Sequence, residues 1–448
     1  MDSTTGWILA GTIMLIWILC LYYFFVKSPW GKKAEAGGFS MYGPFLMWRT
    51  KRGRELLEKL STYRKLWGFY GDLAIACAAI AAISMMGLLL WQSILVPSIA
   101  AEDAPSPETM LGLPGINKFI PLGYGIFGLA IAIIVHESAH GILMRLGQIR
   151  LKSLGLLFFV FPVGAFAEQD EEDMKKGSRR ARMRVFAGGP MANLLLAFVC
   201  MVIFASVMMP SVQPAHEGVG VMRVGDGTPA DDGNLTATMI ITSFNGTTIT
   251  DYADFSDAIA LTKANQTVAV GYWYDGNDHV TSVTLGDRAE YISGADNAGK
   301  GYLGINGGTV STDSFHPIAG AKNGTALVTN FLIFMTLPIS GGSPVEGAQM
   351  DFYTVSGPLD AGTFWLLANA VYWVFWLNLM VGLTNVLPAV PLDGGYIYKD
   401  WLEKLFGKMN LKGGNRDAQV KMADKVVLAT SFLVLALILW PLIGPRIM

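Results

Sequence analysis

Residues 119–144 read FIPLGYGIFGLAIAIIVHESAHGILM. A helix crossing a hydrocarbon core of about 30 Å takes about 20 predominantly apolar residues, and this run is long enough. It finishes in His136-Glu137-Ser138-Ala139-His140. Residues four apart are neighbours on one helix face, so both imidazoles can meet one metal ion with Glu137 beside it. On insertion scales an ionisable residue at mid-bilayer costs about 2.5–3.5 kcal/mol. Three such groups in one short stretch therefore call for a compensating partner, and a bound dication is one. The plainer reading, polar groups satisfying one another in a helical bundle, leaves that cost largely unmet.

A catalytic zinc site takes three protein ligands and leaves the fourth position to water. The third ligand has to come from elsewhere in the chain. Asn385-Val-Leu-Pro-Ala-Val-Pro-Leu-Asp393-Gly394-Gly395 offers a carboxylate in a segment whose prolines interrupt a helix and whose glycines permit a turn. Asp393 is the candidate.

Further from that stretch, 52% hydrophobic and 15% charged residues place the chain in the membrane class. A net charge of −2 gives no basic surface for nucleic acid. Six apolar runs are long enough to span: Trp7–Val26, Leu73–Val96, Phe119–Met144, Val185–Met209, Phe364–Leu387 and Val426–Ile443. Lys and Arg cluster at 27–65, 145–184 and 399–425. By the positive-inside bias these stretches are cytoplasmic, both termini lie outside, and the metal motif sits near the cytoplasmic side. The first run lacks a basic leader and is too long for a signal-peptide core, which predicts a retained span. Cys20, Cys77 and Cys200 each fall in an apolar run, so no disulfide framework is expected.

Between the fourth and fifth runs the composition turns polar and acidic. Strands are predicted at 218–224, 239–244, 268–274 and 280–285, with a helix over 251–263 and turns at Asn245-Gly246 and Asp275-Gly276. Asn-x-Thr sequons at Asn234, Asn245, Asn265 and Asn323 all fall on the side the topology places outside. Two shorter apolar stretches do not fit a span. Leu154–Ala167 reads as a re-entrant or strand-like hairpin, and Leu327–Ile339 as an interfacial helix or a packed lid. The chain divides into two N-terminal spans with a basic linker (1–118), a membrane core (119–210), an outer domain (211–320), and an interfacial segment with the last two spans (321–448).

These motifs give two resemblances. The order of elements over roughly 217–286, with Thr228-Pro229-Ala230 and Asn245-Gly246, resembles a PDZ domain of membrane proteases. Domains of that kind capture extended chain ends by strand addition, and a plain spacer is the alternative. From the third run to the end of the fifth, the chain resembles the site-2 protease family of intramembrane metalloproteases. The likeness is carried by His136-Glu137-x-x-His140, Gly189-Pro190-Met-Ala-Asn193, and Asn385 through Leu392-Asp393-Gly394.

The expected fold is therefore a polytopic α-helical membrane protein of six transmembrane helices with an inserted extracytoplasmic PDZ-like α+β domain. The family resemblance implies Zn2+ on His136, His140 and Asp393, Glu137 as general acid and base, and Asn385 in contact with substrate or steadying the transition state. Asn193 reads equally as a donor near the site or as helix–helix glue. Its implied substrates are transmembrane proteins in the lipid bilayer. A helical substrate must be unwound first, and backbone pairing with the 154–167 hairpin, around Phe161 and Val163, is one way to hold it. The competing readings are a prenyl-protein-type membrane metallopeptidase and a non-enzymatic scaffold with a structural metal.

Overall fold

The computed structural model describes residues 3–50, 53–110, 112, 114–159, 161–292, 297–318, 323–338 and 345–448. The chain forms two compact units, one of residues 1–198 with 374–448 and the other of residues 199–373.

The first unit begins with α1 (Ser3–Tyr22), continued as a wider turn to Lys27. At Ser28-Pro29 the axis turns by 90° into α2 (Trp30–Ala36). A proline at the break supplies the reason, since it cannot donate to the preceding turn. The run expected as the first span is thus one arm of a bent pair. Among the described residues five further helices are long and apolar enough to cross a membrane: Arg64–Ser98, Leu122–Leu146, Arg179–Ser211, Ala361–Asn385 and Arg416–Ile447.

The linker after α2 carries two strands beyond those expected. β1 (Phe39–Tyr42) and β2 (Phe45–Thr50) form a hairpin about Gly43-Pro44. Trp17 Nε1 of α1 donates to the carbonyl of Pro44 at 2.8 Å. After α3 (Arg54–Ser61) comes α4 (Arg64–Leu95), which turns small residues inward and large ones outward. Ala78 is 4% exposed and packs with Ala187 and Val386, whereas Ile83 is 74% exposed. An apolar outer face of this kind is what a lipid-facing helix carries.

A short α5 (Pro107–Met110) precedes α6 (Leu122–Leu146). The expected hairpin follows as β3 (Leu151–Phe159) and β4 (Phe161–Gln169). It joins the N-terminal hairpin in one antiparallel sheet of order β1-β2-β3-β4, with Leu46 opposite Phe158 and Thr50 opposite Leu154. Gly155 lies opposite Phe166, and a Cβ on it would stand 2.1 Å from that ring. Its hydrogen side chain lets the aromatic cover the strand. Next come α7 (Glu171–Lys176), N-capped by Asp170, and α8 (Arg179–Val202).

In the second unit β5 (Val212–Pro214) leads to β6 (Val219–Val224), α9 (Pro229–Asp232), β7 (Ile240–Phe244) and β8 (Thr247–Thr248). Then come α10 (Tyr252–Ala260), β9 (Thr267–Tyr274) and β10 (Asn277–Thr284). The four strands and the helix expected from the sequence are all present, the helix starting at its cap Asp251. Asn245 and Gly246, and Asp275 and Gly276, have positive φ, the backbone that two-residue hairpin turns need. Short elements follow: β11 (Gly286–Asp287), α11 (Arg288–Tyr291), β12 (Gly301–Tyr302) and β13 (Ile305–Thr309). The sheet runs β10-β9-β7-β6-β13, with β8 on β7. Val219, Val221, Ile241, Phe244, Phe255 and Val270 fill its core.

α12 (Gly324–Thr336) is too short to span, as expected for the apolar stretch there, and is N-capped by Asn323. The tail of that stretch, at Ile339, lies outside the described residues. β14 (Tyr353–Val355) pairs with β5, and α13 (Ala361–Asn385) leads back into the first unit. The chain closes with α14 (Asp393–Lys408) and α15 (Arg416–Ile447).

Candidate active site

α6 places His136 and His140 one turn apart with ring centroids 4.7 Å apart, both less than 10% exposed. Asp393 is the first residue of α14, and its Oδ2 lies 3.0 Å from His136 Nε2 and 3.3 Å from His140 Nε2. One ligand atom from each of the three falls within 4.8 Å of the others. The chain reaches this point through a tight turn. A Cβ on Gly394 would sit 2.1 Å from the Val386 carbonyl oxygen, and one on Gly395 would sit 2.6 Å from the Ala389 carbonyl carbon. The two glycines after Asp393 therefore let backbone pass against backbone, bringing a carboxylate from 257 residues away onto the histidines.

Each imidazole is turned so that Nε2 faces the common point. His140 Nδ1 lies 2.7 Å from the carbonyl oxygen of Val185 on α8. A carbonyl only accepts, so Nδ1 carries the proton and the Nε2 lone pair is free. His136 Nδ1 lies 3.2 Å from the amide of Asn193, which is wholly buried and whose Oδ1 has no other partner. The atom facing it is Nδ2; with the amide turned over, Oδ1 accepts the Nδ1 proton of His136, which frees that Nε2 as well. Gly189 of α8 faces the same point. A Cβ there would stand 2.5 Å from His140 Nε2 and 2.7 Å from His136 Nε2. Two imidazole nitrogens and a carboxylate oxygen, both rings held in the ligating tautomer and the space before them kept clear by a glycine, fit a zinc ion.

Glu137 is half-buried, and its Oε2 accepts the backbone N–H of Ala167 on β4 at 2.7 Å. A cavity of about 490 Å³ opens over this group, lined by His136, Glu137, His140, Ala167, Asn385 and Asp393. Asn385 ends α13 at the cavity wall, with its Nδ2 donating to Val381 O at 3.0 Å on its own helix. Phe161 and Val163 lie near the turn of β4, and their side chains lie outside the described residues. The part of β4 that lines the cavity is Phe166–Gln169.

Three participants escaped the reading of the sequence. The Val185 carbonyl and the Ala167 N–H are backbone groups, so no residue type marks them. Gly189 stood inside a quoted motif, but nothing in its spacing said that it faces the histidines.

The family model for Peptidase family M50 matches residues 124–428, well over half of the chain. An uncharacterized protein of Methanocaldococcus jannaschii is 26% identical over 420 residues, covering 92% of this chain and 89% of that one. A putative zinc metalloprotease of Clostridium acetobutylicum is 22% identical over 325 residues, covering 65% of this chain and 89% of its own length. The zinc metalloprotease RasP of Oceanobacillus iheyensis is 22% identical over 244 residues, 54% of this chain and 55% of the relative. Among solved structures, the PDZ domain of an SdrC-like protein from Listeria monocytogenes matches 21% of this chain and 92% of its own, at 23% identity and a TM-score of 0.18.

The fold and the matches define a membrane-embedded zinc metalloprotease. The chain belongs to peptidase family M50, the site-2 proteases. Its cofactor is Zn2+. This family assignment favours the site-2 protease reading over the prenyl-protein type.

Proposed function

We propose that the chain hydrolyses peptide bonds of transmembrane protein segments, with His136, His140 and Asp393 holding zinc and Glu137 carrying the proton. The observation that bears this reading is the convergence of the three ligand atoms within 4.8 Å, with Glu137 on the same cavity. When bound, zinc makes water acidic enough to be deprotonated near neutral pH and polarises the scissile carbonyl. Glu137 takes the proton from the attacking water and returns it to the leaving amine. Val185 O and Asn193 hold the rings of His140 and His136 in one tautomer throughout. Asn385, at the cavity wall, is placed to donate to the substrate once its amide leaves Val381.

A transmembrane substrate arrives as a helix whose carbonyls are already hydrogen-bonded, so it has to be opened before attack. β4 supplies the surface. Among the described residues β3 is its only strand partner, and its other side passes within hydrogen-bond distance of Glu137 at Ala167. An unwound substrate strand added along β4 is thereby carried past the proposed base. Proline at Phe161 and Val163 is expected to abolish cleavage of a helical substrate while zinc content holds, and unchanged cleavage would remove strand addition from the reading.

The domain division is proposed as read from the sequence, with residues 211–320 as a PDZ-like outer domain that filters substrates. In this reading the bent pair at the N-terminus is the first of six spans, both termini are outside, and the cavity opens near the cytoplasmic face. All four sequon asparagines are exposed, which suits an outside location. Glu137→Gln decides the catalytic reading: cleavage of a labelled transmembrane peptide should vanish while zinc stays bound, and retained cleavage would overturn it.

A further inference from the structure

α8 and α14 meet along a ladder of contacts that ends at Asp393. Arg182 and Phe186 lie one turn apart on α8, and Tyr396 and Asp400 lie one turn apart on α14. Arg182 Nε donates to both carboxylate oxygens of Asp400 at 3.1 Å, and Nη2 also contacts Oδ1. The far side of the guanidinium is used as well, Nη1 donating to the Gly177 carbonyl at 2.9 Å. The Phe186 and Tyr396 rings stack at 4.7 Å with planes 14° apart. One turn further along α8, Gly189 faces the histidine nitrogens that Asp393 approaches from the start of α14. The Arg182 and Asp400 side chains are 16% and 7% exposed.

We infer that the Arg182–Asp400 ion pair is a positioning device that fixes the register of α14 on α8, and through it the place of Asp393 against His136 and His140. The inference rests on Asp393 being a zinc ligand, as proposed above.

The argument is one of tolerance. Sliding a helix by one residue moves it about 1.5 Å along its axis and turns it about 100°, enough to take the Asp393 carboxylate away from both rings. The apolar contacts along the ladder resist such a slide weakly, because stacked rings glide. A guanidinium fork on a carboxylate does not, since its hydrogen bonds hold in one arrangement. Val185, between the two α8 rungs, gives its carbonyl to His140, and Asn193 further along meets His136. One helix thus orients two ligands directly and the third through Arg182. Asp400 stands two turns beyond Asp393 and is 5% exposed, and breaking such a pair leaves an uncompensated charge.

The test is zinc affinity, measured by chelator competition on the full chain in detergent, with thermal unfolding of the metal-free protein alongside. The variants are Asp400→Asn, the double change Arg182→Met with Asp400→Leu, and Asp393→Ala. A well-packed apolar pair of similar volume replaces a buried ion pair with little loss of stability. The double variant is therefore expected to unfold near the parent's temperature yet bind zinc about tenfold or more weakly. A purely structural pair predicts parent-like zinc affinity at that same stability, and that result overturns the inference. Asp400→Asn is isosteric and carries the test alone if the double variant does not fold. Parent-like affinity in it would equally overturn the proposal. Asp393→Ala separates the two ideas. If it keeps full zinc affinity, the ligand assignment itself has failed. If it loses zinc while the pair variants do not, only the positioning role has failed.

Discussion

In the first unit four buried polar side chains, His136, His140, Asn193 and Asp400, lie along α6, α8 and α14, while Asn117, Asn378 and Gln419 bond backbone carbonyls close to them in sequence. In the second unit the buried polar side chains Thr228, Thr262 and Asn369 each bond a backbone carbonyl, at Gly225, Ile259 and Val345. These three groups tie down the backbone of their own unit. The four on α6, α8 and α14 are instead paired from helix to helix, His140 on Val185, His136 on Asn193 and Asp400 on Arg182. A buried polar group is costly unless paired, and the membrane unit bears that cost where chemistry needs it. The sheet of the inserted unit has a core chiefly of Val, Ile, Leu and Phe.

The comparison predicts that damage will stay in its own unit, and that within the first unit it will follow distance from the metal. The largest effect belongs to Glu137→Gln, expected to cut turnover of a labelled transmembrane peptide by about 10²–10⁴-fold, the range for loss of a general acid–base. Gly189→Val is next. Its side chain would occupy the space before both Nε2 atoms, so zinc content measured by metal analysis should fall to near that of Asp393→Ala. Asn193→Ala should weaken zinc binding by about 10–100-fold, as expected when the partner that fixes a ligating imidazole is removed, and Asn193→Asp should restore most of it. Phe244→Ala in the inserted unit should cost about 3–5 kcal/mol of that unit's stability in denaturant unfolding. Zinc affinity should not move with it. Asp251→Ala, which removes the N-cap of α10, should cost about 1 kcal/mol in the same measurement. A change of zinc affinity in either of the last two variants would break the comparison.

Much of this was legible in the residues because the chemistry is dense and local. His136, Glu137 and His140 occupy one helical turn, and apolar runs of spanning length are hard to mistake. The strands of the insert were marked by alternation and by Asn-Gly and Asp-Gly turns. What stayed hidden depends on long-range partners. Phe39–Tyr42 and Phe45–Thr50 show apolar residues around Gly43-Pro44, yet their role appears only once Leu46 is found opposite Phe158. β13 closes one edge of its sheet through Gly307 and Gly308, residues with no side chain to announce a strand. The bend at Pro29 falls just beyond the apolar run, where hydropathy carries no sign of a change of axis. Arg182 looked like one more cytoplasmic basic residue, and only its distance to Asp400, 218 positions away, says otherwise.

The most direct test is zinc content and metal-edge X-ray absorption on the purified full chain, comparing the parent with Glu137→Gln and Asp393→Ala. One zinc per chain with two imidazole ligands and one carboxylate is expected in the parent and in Glu137→Gln, with loss of the metal in Asp393→Ala. Full zinc with an unchanged spectrum in Asp393→Ala would contradict the account.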